Sequence, residues 1–187
     1  VPGFGDRHPR REIAAVDAPS ISVVSGPVEA VARFCEALER EGVGTQRIAT
    51  SHAFHSRMME PALPGFARVL AGVALHAPRI PVISNATGLP LSPDQATDPR
   101  YWADHVRHPV RFSAGVEHLL ALVNPVFVEI GPGSALSDLI RRHDPAARVF
   151  PVLAPSASGE ETSANNSKFP QPPLAEPSTY ISKCRRS

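Results

Sequence analysis

The strongest indication of the fold class is the run Val126-Phe127-Val128-Glu129-Ile130-Gly131-Pro132-Gly133, which continues as Ser134-Ala135-Leu136-Ser137-Asp138-Leu139-Ile140. The apolar run over residues 126–130 predicts a buried strand, and the glycines and proline that follow it predict a tight turn. Residues 135–142 carry the spacing of a helix, and residues 148–153 predict one more strand. Strands that alternate with helices of this length indicate a parallel sheet, so this part of the chain is expected to be α/β.

The same alternation extends upstream. Residues 112–123 predict a helix, residues 58–70 place their apolar positions on one helical face, and residues 80–84 predict a short strand. That strand is followed by the turn signature Asn85-Ala86-Thr87-Gly88. Residues 51–153 are therefore expected to form one α/β unit.

Residues 12–50 predict a different arrangement. Two β-branched runs, 13–16 and 21–25, are separated by a turn-forming set, and they are followed by a helix from Val28 and a strand over 46–50. Strand, strand, helix, strand is three quarters of a ferredoxin-like split unit without its opening strand and helix. We expect a partial subdomain here.

The two ends of the chain differ from the middle. Residues 1–11 show no periodicity and are expected to be a loop or a severed linker. Residues 154–187 are rich in Ser, Pro, Asn and Glu, a composition that buries too little apolar surface to offset the entropy of ordering. This tail is expected to be disordered.

Composition excludes several classes of function. The 19 Lys and Arg residues are scattered and nearly balanced by 18 Asp and Glu, which argues against nucleic-acid binding. No apolar run is long enough to span a membrane, and no signal peptide is recognisable at the N-terminus. The 2 cysteines form neither a disulfide framework nor a zinc ligand set, so the cytoplasm is the expected location.

The chemistry-bearing stretch is Thr50-Ser51-His52-Ala53-Phe54-His55-Ser56, between a predicted strand and a predicted helix. A histidine at such a junction can point into a cleft, but no Gly-x-Ser-x-Gly nucleophile turn occurs in the chain. The chain therefore resembles one half of an active site. The pairs His52/His55 and His105/His108 could also suggest a metal-dependent hydrolase, yet neither has a Glu or Cys at ligand spacing, and no metal is expected.

Five linked motifs resemble the C-terminal half of the acyltransferase domain of modular type I polyketide synthases. They are Ser51-His52-Ala53-Phe54-His55-Ser56 with Met58-Met59-Glu60-Pro61, Ile83-Ser84-Asn85-Ala86-Thr87-Gly88, Asp98-Pro99-Arg100-Tyr101-Trp102, His108-Pro109-Val110-Arg111-Phe112, and Glu129-Ile130-Gly131-Pro132-Gly133.

The resemblance covers residues 12 to 153 and implies an incomplete acyltransferase fold. Residues 12–50 would be part of the ferredoxin-like small subdomain, and residues 51–153 the C-terminal part of an α/β-hydrolase-like large subdomain with parallel strands. The family's N-terminal half is not matched. That half includes the nucleophilic serine, so the chain alone is expected to be inactive.

The resemblance also implies the reaction and its residues. The family transfers malonyl from coenzyme A through an acyl-serine to the phosphopantetheine thiol of an acyl carrier protein, by a ping-pong mechanism. His55 would be the general base and then the general acid. Its second ring nitrogen would be held by a backbone carbonyl, for which the turn at Asn85 is the candidate.

His52, Ala53 and Phe54 match the family positions that vary with the extender unit, and their form resembles that of malonyl-loading domains. Phe54 beside the α-carbon of the acyl group would leave no room for a methyl branch. The discrimination from one methyl group would be about 1–3 kcal/mol.

Partners implied by the resemblance are the acyl carrier protein, the ketosynthase and other modules of a synthase, and the unmatched N-terminal half of the domain. No bound cofactor is expected, since malonyl-CoA is a substrate. Two alternatives stay open. The chain could be a non-catalytic structural or docking remnant, or its parent could be a fatty acid synthase or a discrete malonyl transacylase.

Overall fold

The computed structural model describes residues 11–48 and 50–153, together with the backbone of residues 179–185. The expectations for residues 1–10, and for 154–178 and 186–187 in the tail, lie outside the described residues. Within the described part, no helix is both long enough and apolar enough to cross a bilayer.

The first part of the chain contains β1 (Glu12–Ala18), β2 (Ile21–Pro27), α1 (Val28–Arg40) and β3 (Gly44–Ile48). β1 and β2 form an antiparallel hairpin. The α1 helix buries Val31 and Leu38 one above the other along its inner face. The predicted order of strand, strand, helix and strand is confirmed.

A strand from the C-terminal segment completes this sheet. β6 (Thr179–Arg185) lies between β2 and β3 and is antiparallel to both, so the strand order is β1-β2-β6-β3. The expected disorder of residues 154–187 is therefore wrong for these seven residues. The helix α1 connects β2 and β3, which run parallel to each other and are separated by the width of one strand. The facing edges of β2 and β3 carry backbone groups that need partners, and an extended segment between them can form hydrogen bonds with both strands.

The second part begins with a 3-10 helix (Arg57–Ala62) and α2 (Leu63–Ala71). It continues through three helices and a final strand–helix–strand unit. These are α3 (Pro93–Thr97), α4 (Pro99–Arg107), α5 (Phe112–Leu120), β4 (Val126–Pro132), α6 (Ala135–Arg141) and β5 (Arg148–Leu153). β4 and β5 are parallel, as the alternating pattern predicted.

Two details differ from the sequence-based expectation. Residues 80–84 form no strand but only a single bridge between Ile83 and Pro90, because Pro81 and Pro90 lack the N–H groups that a ladder needs. β4 is also not buried on both sides. Val116, Ile140 and Val149 form the core on one side of the β4–β5 pair, whereas the side chains of Val126, Val128 and Ile130 are exposed.

The two parts meet where β1 contacts the segment after α4. The backbone N–H of Val16 donates to Val110 O at 2.9 Å, and Val110 N–H donates to Ala14 O at 2.9 Å. The Val110 side chain packs against Ala14, Ala15 and Val23. This junction holds the C-terminal end of α4 beside β1 and next to the His55 loop.

Candidate active site

The loop that carries His55 is held in a defined and strained shape. His55 adopts φ +59°, the left-handed region, which costs a non-glycine residue about 1–2 kcal/mol. Buried Ser56 closes the loop, because its Oγ donates to Ala53 O at 2.7 Å and accepts from Met58 N–H at 3.2 Å. The second contact caps the 3-10 helix. Backbone strain of this kind is often found at functional sites.

The imidazole of His55 contacts two backbone carbonyls. Its Nδ1 lies 3.1 Å from His105 O and 2.9 Å from His108 O, and its backbone N–H donates to Val106 O at 3.1 Å. Carbonyl oxygens can only accept, so Nδ1 carries the proton. In the neutral ring, Nε2 is then left with a free lone pair and can act as a base.

The accepting carbonyls are free because of Pro109. In a continuing helix His105 O would accept from residue 109, but proline has no N–H. Val106 O would accept from Val110, whose N–H instead donates to Ala14 O. The carbonyls of His105 and Val106 therefore remain without helical partners. His55 donates to both of these carbonyls, to the first from Nδ1 and to the second from its backbone N–H.

The expectation that the turn at Asn85 supplies the carbonyl that holds the His55 ring is wrong. The carbonyl of Asn85 accepts from Arg111 N–H at 2.6 Å, at the start of α5. The Asn85 turn therefore orients α5, and the carbonyls that orient His55 come from the end of α4. The signal in the sequence that could have located them is the proline at 109, directly after His108.

The side chain of His105 lies beside the site. Its ring centroid is 6.1 Å from that of His55, and its Nε2 is buried without a hydrogen-bond partner among the described residues. Burial, and secondly the charge of His55, lower the pKa of His105. A neutral His105 avoids placing a second positive charge beside a protonated His55.

The three residues before His55 face two directions. His52 and Phe54 are exposed, with ring centroids 6.0 Å apart, and the Phe54 side chain is 38% exposed. Ala53 is buried at 1% exposure, so its methyl group contributes to packing under the loop. Of the predicted specificity positions, His52 and Phe54 are therefore accessible to a ligand.

No group of three or more His, Cys, Asp or Glu side chains within the described ranges is arranged to hold a metal ion. His52 Nδ1 lies 2.9 Å from Ser51 Oγ, and His108 Nδ1 lies 2.9 Å from Asp104 O, so these ring nitrogens have other partners. Nδ1 of His55, in contrast, lies within hydrogen-bonding distance of two backbone carbonyls from a distant part of the chain.

Comparison with known families decides the classification. Residues 7–162 match the family model described as the acyl transferase domain. This chain belongs to the acyltransferase domain family. The expected acyltransferase family is thereby confirmed, and the relatives that follow confirm the resemblance to polyketide synthases.

Relatives of this chain include a type I polyketide synthase for phenolphthiocerol synthesis from Mycobacterium bovis. It is 42% identical over 130 residues, which is 70% of this chain and 6% of the relative. The acyltransferase domain from the second module of the salinomycin polyketide synthase is 39% identical with a TM-score of 0.72. Malonyl-CoA:acyl carrier protein transacylase from Xanthomonas oryzae pv. oryzae is 27% identical with a TM-score of 0.69.

The chain spans only part of these proteins. The alignment with the salinomycin domain covers 78% of this chain and 34% of that domain, and the alignment with the Xanthomonas transacylase covers 78% and 46%. The chain thus corresponds to part of an acyltransferase domain of the polyketide synthase type.

Proposed function

We propose that this chain supplies the acid–base histidine of an acyltransferase that loads malonyl from coenzyme A onto an acyl carrier protein. The observation that carries the proposal is the pair of carbonyls, His105 O and His108 O, that bind Nδ1 of His55. They set the ring in the tautomer that a general base needs, with Nε2 free to accept a proton.

In the proposed first half-reaction, Nε2 of His55 takes the proton of a serine hydroxyl as the serine oxygen attacks the malonyl thioester. The carbon–sulfur bond breaks, and the coenzyme A sulfur leaves with the proton from Nε2. In the second half-reaction, Nε2 takes the proton of the phosphopantetheine thiol, and the thiol sulfur attacks the acyl-serine. The serine oxygen regains the proton and leaves.

The serine belongs, in this proposal, to the part of the domain that the chain does not span. The uncovered face of the β4–β5 pair supports such a partner, because Val126, Val128 and Ile130 are 52%, 56% and 88% exposed. Parallel sheets are normally covered on both faces. The proposed location, the cytoplasm, follows from the coenzyme A and carrier-protein substrates.

The test is reconstitution with the complementary polypeptide. The chain is co-expressed with the N-terminal part of a related acyltransferase domain, and transfer of radiolabelled malonyl to a carrier protein is measured. We expect His55→Ala to reduce transfer by about 10²–10⁴-fold, the usual contribution of a general acid–base group. The matched control is His76→Ala, an exposed histidine outside the site.

Two results would count against the proposal. One is transfer by His55→Ala equal to that by the control. The other is a stable covalent label on the chain incubated alone with malonyl-CoA, because that would place the nucleophile within these 187 residues.

Malonyl preference is proposed to come from Phe54. Its exposed ring stands on the same side of the loop as His52, where it can limit the space beside an acyl α-carbon. In the reconstituted enzyme, Phe54→Ala should raise the methylmalonyl-to-malonyl ratio of kcat/KM by about 10–200-fold. An unchanged ratio would exclude this role, and exposed Phe66→Ala is the control.

A further inference from the structure

A group of four charged side chains surrounds the base of the His55 loop. We call it the charge cluster; it consists of Glu12 from β1, Arg57 and Glu60 from the 3-10 helix, and Arg107 from α4. Arg107 Nη1 lies 2.8 Å from Glu12 Oε2, and Arg107 Nε lies 3.0 Å from Glu60 Oε1.

The cluster also includes Arg57, which contacts Glu12 twice. Arg57 Nε lies 3.0 Å from Glu12 Oε1, and its backbone N–H donates to the same oxygen at 2.8 Å. Both oxygens of the Glu12 carboxylate are thus occupied by arginine donors. Two positive and two negative charges balance locally, so the cluster needs no further ion.

Burial distinguishes this cluster from ordinary surface ion pairs. The side chains of Glu12 and Arg107 are each only 21% exposed, whereas those of Arg57 and Glu60 are 55% and 59% exposed. Burial by itself raises the pKa of Glu12, but the hydrogen bonds from Arg57 and the charges of Arg107 and Arg57 outweigh it and leave that pKa lowered. The inner pair, Glu12 with Arg107, is therefore the part of the cluster that is most shielded from solvent.

The position of the inner pair in the chain links it to His55. Arg107 lies within the segment whose three carbonyls, at positions 105, 106 and 108, accept from His55. The same guanidinium binds Glu60 on the 3-10 helix, which starts two residues after His55. Arg107 therefore connects the segment that carries the acceptors with the segment that carries the donor.

We infer that Arg107 and Glu12 are positioning residues that keep the carbonyls of His105 and His108 aligned with Nδ1 of His55 and so select its Nδ1–H tautomer. This role deepens the function proposed above and rests on it for its catalytic meaning. Neither residue contacts a reacting atom in this assignment. Lysine cannot replace Arg107 fully, since one ammonium cannot reproduce the planar fork that meets two carboxylates.

The test measures the tautomer of His55 directly. Long-range ¹H–¹⁵N spectra of the ¹⁵N-labelled full chain, recorded with neutral imidazoles, report the Nδ1–H to Nε2–H ratio of each histidine. We expect Arg107→Met to lower this ratio for His55 by about threefold to tenfold, the factor that one typical hydrogen bond represents. Arg107→Lys should give an intermediate ratio, and Arg100→Met should leave the ratio at the wild-type value.

Arg100 is the matched control because it pairs with Asp98 at the other end of the same helix, at 3.4 Å and with 85% exposure. His143 is an internal control for folding, since its Nδ1 lies 2.9 Å from Leu139 O, far from the cluster in sequence. A changed tautomer ratio at His143 in Arg107→Met would indicate that the fold itself is disturbed. In that case the nearly isosteric Glu12→Gln variant is the decisive one, and we expect it to lower the His55 ratio as well.

A wild-type His55 ratio in a folded Arg107→Met or Glu12→Gln variant would overturn the inference. That outcome is separate from failure of the proposed function, which would appear as unchanged acyl transfer by His55→Ala. The positioning role of Arg107 and Glu12 and the proposed acid–base role of His55 can therefore be refuted independently.

Discussion

Gly88 should be among the least replaceable residues of the turn that packs against α5. It adopts φ +77° in the turn after Ser84, and its N–H donates to Ser84 O at 2.7 Å. A Cβ added to Gly88 would lie 2.5 Å from Ala114 Cβ and 3.1 Å from Gly115 N, on helix α5. Both contacts are with parts of the protein that cannot rotate away.

Gly42 provides a matched comparison. It has nearly the same backbone angle, φ +76°, but a Cβ added there would meet no atom within 4 Å. Gly42→Ala therefore measures the left-handed strain alone, about 1–2 kcal/mol. Gly88→Ala adds overpacking of about 1–3 kcal/mol, so we expect its total loss to be about 2–5 kcal/mol.

Urea unfolding followed by tryptophan fluorescence can measure both losses. The chain has 1 tryptophan, Trp102, whose Nε1–H donates to Ala96 O at 3.0 Å within the helical part. A further loss of about 1–3 kcal/mol lowers the melting temperature by roughly 2–12 °C in a domain of this size. Equal losses of unfolding free energy in the two variants would refute the role assigned to close packing at Gly88.

Three further predictions concern the sheet, the loop and pH. Ending the chain after residue 178 should accelerate amide hydrogen exchange most in β3, whose only partner among the described strands is β6. The acceleration should be smaller in β2 and smallest in β1, and uniform acceleration would contradict the strand order. Ser56→Ala should lower the free energy of unfolding by about 0.5–2 kcal/mol through loss of the helix cap, and an unchanged denaturation midpoint would be inconsistent with that contact. The pKa of Glu12 is lowered in the folded protein, so the unfolded chain binds more protons at this group. The stability that Glu12 contributes is therefore fully present above the ordinary carboxyl pKa. It is lost as the pH falls through the lower pKa of the folded state. Glu12→Gln should flatten the acid limb of a stability–pH curve, and an acid limb as steep as that of the wild type would show that other carboxyls dominate.

Much of the fold could be predicted from local patterns. The β1–β2 hairpin, α1, and the β4–α6–β5 unit follow from apolar spacing and from turn residues, which are short-range properties. The expectation that residues 126–130 form a buried strand holds for one face of β4 only. A run of apolar residues indicates that a strand is buried in the folded protein, but it does not show which segment covers each face. β6 was missed because its place depends on the unpaired edges of β2 and β3, and these belong to residues more than 130 positions away.

The candidate site stays a proposal, and only part of it follows from local patterns. The residue type and its setting between strand and helix singled out His55, and the five motifs that identified the family were local as well. The acceptor for its Nδ1 was assigned to Asn85, and this was wrong because backbone carbonyls occur at every position and have no side-chain signature. Pro109 is visible in the sequence, and its missing N–H leaves His105 O without a helical donor. Only the tertiary structure shows that His55 is close enough to supply that donor.

The family and most of the helices and strands follow from the sequence alone, because each is encoded within a short window. The choice of His55 as the candidate base also came from a short motif, and its role stays a proposal. Only the tertiary structure decided the tautomer of that histidine, its left-handed backbone and the charge cluster beneath it. The His55–His105 and Glu12–Arg57 contacts join residues 50 and 45 positions apart. Their distances depend on how β1, the 3-10 helix and α4 pack together, and no local pattern contains that information.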